Sequence, residues 1–70
     1  MALSARNQLP GTVVSIKEGV VMGEVVVKID DGPEVVSVIT MTSIENLALT
    51  AGMRVTVVIK STEVMLATNL

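Results

Sequence analysis

Apolar residues along this chain fall into short, β-branched runs separated by polar or turn-forming breaks. Thr12 to Lys17 carries Val13, Val14 and Ile16 behind Pro10 and Gly11, which predicts a first strand with Pro10 at its entry. Glu18-Gly19 reads as a tight connection into a second strand, from about Val20 to Ile29. Asp30-Asp31-Gly32-Pro33 is a dense cluster of turn formers and predicts a hairpin into a third strand, from about Glu34 to Met41. The pattern then changes. Thr42 and Glu45 have capping-box spacing, with the hydroxyl accepting from the N3 amide and the carboxylate reaching back to the cap amide, so a short helix is predicted there. Ile44, Leu47 and Ala48 would share one face of it. Gly52 closes the connection to a fourth strand, Arg54 to Lys60, and Glu63 to Ala67 reads as a short fifth.

Strands with one short helix between the third and the fourth is the order of an OB-type barrel. The expected fold is therefore all-β, an OB-like five-stranded Greek-key barrel, in a single domain spanning residues 1–70. The runs inside the strands add to this. Val25-Val26-Val27 and the pairs Val13-Val14, Val20-Val21, Val35-Val36 and Val57-Val58 do not alternate, so both faces of the sheet are expected to be covered. A domain this short buries only about 60% of the surface its unfolded chain would expose, while 50% of its residues are hydrophobic. Another copy of the chain is the natural cover for the outer apolar positions. The alternative is a protein that tolerates valines at its surface.

Composition removes most other roles. There is no Cys and no His, hence no disulfide framework, no thiolate nucleophile and no imidazole to act as a base or metal ligand. Enzymatic activity is not expected. Aromatic residues are absent and the net charge is −2, which leaves neither stacking platforms nor a basic footprint for nucleic acid. No apolar stretch approaches the ~18–20 residues of a membrane span. The polar Ser4, Arg6, Asn7 and Gln8 that follow Met1-Ala2-Leu3 do not resemble a signal peptide, so the expected location is the cytoplasm.

Two polar clusters interrupt the apolar chain: Ser4-Ala5-Arg6-Asn7-Gln8 near the start and Lys60-Ser61-Thr62 after the fourth strand. Both are rich in donors, and neither contains Asp or Glu. Arg6 and Lys60 bring fixed positive charge, and Ser4, Ser61 and Thr62 bring hydroxyls. A tetrahedral dianion presents oxygens that only accept, so its site should be built from donors and kept clear of carboxylates. The plainer reading of Arg6 and Lys60 is that they are solvated charges at strand ends.

Three separated blocks carry a resemblance that covers essentially the whole chain. Ser4-Ala5-Arg6-Asn7-Gln8-Leu9 before an apolar strand, Ile39-Thr40 with Ser43 before the helix, and Val58-Ile59-Lys60-Ser61-Thr62-Glu63-Val64-Met65 together resemble the molbindins, the small molybdenum-pterin-binding or Mop proteins. The resemblance implies an OB-like, TOBE-like cytoplasmic protein that stores molybdate or tungstate as a homohexamer, a trimer of dimers, with oxyanions held between subunits. Carried over residue by residue, it implies ligands at Ser4, Arg6, Thr40, Lys60 and Ser61, with backbone amides at Ala5 and Ser61. Ser37 and Ser43 are nearby hydroxyls that compete with Thr40 for that role. These residues do not place the family's second kind of site. With no DNA-binding region and no phosphate-loop motif, free-standing storage is the expected role. A pterin is usually held by stacking, and no aromatic side chain is present to stack on it, so the bare oxyanion is the expected ligand. The competing reading is a structural or interaction module of the same fold that binds no anion physiologically.

Overall fold

The computed structural model describes residues 2–68. Four antiparallel strands form one curled sheet, β1 (Asn7–Glu18), β2 (Met22–Ile29), β3 (Glu34–Thr40) and β4 (Arg54–Ile59), in the spatial order β3-β2-β1-β4. Three consecutive strands followed by a fourth that returns beside the first is a Greek key. A short helix, α1 (Met41–Asn46), lies in the long connection between β3 and β4. Among the described residues no helix is long and apolar enough to cross a membrane.

β1 starts five residues earlier than the apolar pattern predicts. Its first residues are polar, but they pair with β4 from Asn7 opposite Ile59 to Thr12 opposite Arg54. Pro10 sits inside this strand. Its carbonyl accepts from the Asp30 amide at 3.0 Å, just beyond the end of β2, so the donor it lacks would point where the ladder with β2 has already stopped. Gly11 also lies within the strand: a Cβ there would come 2.6 Å from the Lys28 carbonyl oxygen and 2.8 Å from Val27 Cγ1. Further along, the register with β2 shifts between Val13 and Ser15. The bulge leaves Val14 as the extra residue, and such bulges bend and twist the strand that carries them.

The helix begins two residues earlier than predicted. Thr40, not Thr42, is the cap. Its Oγ1 accepts from the Ser43 amide at 3.0 Å and donates to Ser43 Oγ at 2.9 Å. Chain geometry decides this, because β3 runs straight into α1 and its last residue already has the extended backbone a cap requires. At the other end, Leu49 N donates to the Ile44 carbonyl and Ala48 N to the Glu45 carbonyl, a complete Schellman motif. Ala48 occupies the position that takes a left-handed backbone, with φ 51. Of the predicted apolar face only Ile44 is buried; Leu47 is exposed and Ala48 lies past the helix. Ile44 packs over Gly23, where a Cβ would run into it.

The core is small. Val13, Val25, Val27, Ile29 and Ile44 are the buried apolar side chains among the described residues, and Leu9, Ile16, Val35, Ile39, Leu49 and Val55 pack around them half-buried. The inner face stays open between the two edge strands, where a cleft of about 330 Å³ is lined by Val13, Val27, Ile39, Leu49, Val55 and Val57. The predicted fifth strand is not formed among the described residues. After β4 a 3-10 turn spans Ser61–Glu63, and residues 64–68 continue unpaired, with Met65 92% and Leu66 93% exposed. A fifth strand needs a partner edge. Within one chain the segment pairs with neither β3 nor β4.

Candidate functional site

Register builds the site. Asn7 and Ile59 are the outermost pair of β1 and β4, so Arg6, just before β1, and Lys60, just after β4, leave the sheet at the same end. Asn7 and Ile59 are 52 positions apart in sequence, yet they are joined directly by Asn7 Nδ2 donating to the Ile59 carbonyl at 3.2 Å. On the β4 side the chain turns at once: the Lys60 carbonyl accepts from the Glu63 amide at 2.8 Å and the Ser61 carbonyl from the Val64 amide at 3.4 Å. On the β1 side the Arg6 carbonyl accepts from the Gln8 amide at 3.1 Å. The Ala5 carbonyl accepts from Gln8 Nε2 at 2.7 Å.

These bonds give the region its electrostatic character. The carbonyls of Ala5, Arg6, Ile59, Lys60 and Ser61 are all engaged internally. The side chains of Ser4, Arg6, Lys60 and Ser61 are exposed and bond to no described residue, and the Ala5 and Ser61 amides likewise donate to none. This end of the sheet therefore turns its acceptors inward and leaves its donors free, an arrangement complementary to an anion.

Two of the other cations are committed elsewhere. Arg54 holds Asp30 through two bonds, NH1 to Oδ1 at 2.7 Å and NH2 to Oδ2 at 2.6 Å, and NH1 also reaches Thr12 Oγ1 at 3.0 Å. The hydrogen bond from Arg54 lowers the Asp30 carboxyl below its ordinary pKa, helped by the charges of Arg54 and Lys28, and the same partnership raises that of Arg54. Lys28 Nζ donates to the carbonyls of Ile29 and Gly32 and secures the turn between β2 and β3. Lys17 stands opposite Glu24. Among the described residues Arg54 and Asp30 form the only ion pair, and no group of three or more acidic, His or Cys side chains is placed to hold a metal cation.

The candidate ligands divide into two places. Ser4, Ala5, Arg6, Lys60 and Ser61 share one end of the β1–β4 pair. Thr40 does not join them in one chain. It ends β3, the opposite edge strand, and pairs with Met22 at the far end of the strands; its hydroxyl is also occupied by the helix cap. Ser37 lines the inner cleft, and Ser43 works at the helix start. The pattern of the residues missed what Asn7 and Gln8 do. A pair of amide side chains at a strand entrance was the available signal, but their carbonyl partners are readable only from the register.

A curled four-stranded Greek key with free donors gathered at one end of the sheet defines a small OB-like binding module. The chain belongs to the TOBE domain family, whose model matches residues 3–66. It is 52% identical over 66 residues to molybdenum-pterin-binding protein 3 of Clostridium pasteurianum, a match covering 94% of this chain and 97% of that protein. Among solved structures, MopII from Clostridium pasteurianum superposes with a TM-score of 0.89 at 47% identity, covering 94% of this chain and 98% of that one. A molybdate binding protein from Sporomusa ovata gives a TM-score of 0.89 at 39% identity, covering 96% and 98%. The sheet described above is thus the OB-like fold of the Mop proteins.

Proposed function

We propose that this protein binds molybdate, and tungstate equally, and stores it in the cytoplasm as a homohexamer, a trimer of dimers. One observation carries the reading: Arg6 and Lys60, far apart in sequence, lie at one end of the sheet with no carboxylate partner among the described residues, while Arg54 at the other end of β4 is fully paired. Names of the relatives point the same way, since the Sporomusa ovata neighbour is a molybdate binding protein. Ser4, Arg6, Thr40, Lys60 and Ser61 act as side-chain ligands, with the amides of Ala5 and Ser61. No pterin is required, because no aromatic side chain is present to stack on one. Nor is it an enzyme: the region holds cations and hydroxyls but no acid–base pair.

The site is shared between copies. Thr40 of one copy meets the Arg6 and Lys60 end of another, its hydroxyl proton turning from Ser43 Oγ to the anion while its oxygen still caps α1, which completes a donor cage that a single chain leaves in two parts. The five-stranded barrel is completed on assembly as well. An apolar cleft open between β3 and β4 and an exposed apolar segment at 64–66 are two unsatisfied surfaces of one chain, and laying the segment of one copy along the cleft of another covers both. Outward Val36 and Val38, 56% and 61% exposed, add further surface for contact between copies. Titration calorimetry of the purified protein with sodium molybdate tests the function directly. Saturable binding is expected; no heat across the soluble range would contradict it.

A further inference from the structure

We propose that Asn7 and Gln8 are the positioning residues of the oxyanion site, and that through it they set its discrimination between anions of different size; this rests on the function proposed above. Neither side chain is offered as a ligand. Asn7 Nδ2 bonds the Ile59 carbonyl, one residue before Lys60, from one residue after Arg6. It thereby fixes the spacing between the two charged donors at the point where the ladder ends and the strands would otherwise fray apart. Gln8 Nε2 bonds the Ala5 carbonyl while its backbone amide bonds that of Arg6, which folds the segment from Ser4 to Arg6 into one shape and aims its free amide and guanidinium. Both side chains also occupy carbonyl oxygens in the residues next to Arg6 and Lys60. A donor cage reads the size of a tetrahedral ion only if its donors cannot follow a smaller one inward. Oxygens drawn closer to the ion centre must then lose contacts that need ~2.7–3.0 Å. Rigid spacing is therefore what separates molybdate from sulfate.

The test uses the full chain and two variants on independent bonds, Asn7→Ala and Gln8→Met, the second keeping shape while losing the donor. Each is titrated with molybdate and with sulfate at fixed ionic strength beside a thermal melt. The expected result is a molybdate affinity about 3- to 10-fold weaker for each variant, together with a molybdate-to-sulfate preference that falls because sulfate binding is less affected. Gln8 is exposed, so its variant should melt close to the parent. A purely structural role would lower the melting temperature without changing the preference. If the parent binds molybdate and both variants keep its affinity and preference, the positioning role is wrong and the function stands. If the parent binds neither anion, both fail.

Discussion

Strand β4 carries a cation at each end, and the two ends are built oppositely. Arg54, where β4 begins, is held by both oxygens of Asp30 and by Thr12, so β4, β1 and the turn after β2 are tied through one guanidinium. Lys60, just past the end of β4, bonds to no described side chain, and neither does Arg6 across from it. Protein stability alone gives no reason to gather two unpaired cations at one sheet end, since like charges repel. The pair becomes favourable once a dianion lies between them. One end of the strand thus uses charge to hold the fold, and the other leaves it free for the ligand we propose.

Truncating the lysine puts most weight on that contrast. Lys60→Ala removes a charge-assisted bond and should weaken molybdate binding ~10- to 100-fold, about 1.5–3 kcal/mol, with little change in thermal stability; an unchanged affinity in calorimetry would make Lys60 a solvated charge. Selectivity sharpens the same end. Donors placed for a larger ion cannot all reach the oxygens of sulfate, and two lost contacts at about 1–3 kcal/mol each give at least roughly tenfold discrimination. The expected order in competition is molybdate equal to tungstate, then sulfate, then phosphate, whose partial protonation adds a donor that the site has nothing to accept. Sulfate competing as well as tungstate would mean the cage does not read size.

The fold-holding end gives the mirror result. Arg54→Met should lower the melting temperature and leave molybdate affinity unchanged. Its pH dependence has a definite sign. Because Arg54 lowers the Asp30 pKa in the folded state, the pair's stabilisation is present above the unfolded carboxyl value of about 3.9 and fades as pH falls through the lower folded value. The gap in melting temperature between parent and Arg54→Met should therefore close in acid, and a gap that widened there would rule out this pairing. A smaller effect serves as a control away from both ends. Ala48 holds a left-handed backbone that glycine adopts without strain, so Ala48→Gly should raise stability by up to ~1 kcal/mol in denaturant unfolding without altering affinity.

The residues themselves reveal much of this framework. Valine runs and the Asp30 to Pro33 turn mark the strands, and a helix between the third and fourth follows from the change of pattern after Met41. Errors came where a long-range partner decides. Asn7 and Gln8 read as a polar cluster before the strand, yet they belong to it because β4 lies alongside. Thr42 with Glu45 has the spacing of a capping box, yet β3 stops pairing at Thr40, and that point makes Thr40 the cap. The apolar residues after Glu63 predict a fifth strand, but a strand exists only against an edge, and one chain supplies none there. The donor clusters were legible because carboxylates are missing from them. That both reach the same end of the sheet was not, since it depends on the register of β1 against β4.

An anion held between copies of the chain makes binding and assembly inseparable, and native mass spectrometry of the intact protein, with and without added molybdate, reads both at once. The expected spectrum shows a hexamer that gains mass in steps of the anion, and no anion on the free 7.3 kDa chain. Molybdate retained by the single chain, or a protein that remains monomeric when loaded, would contradict it.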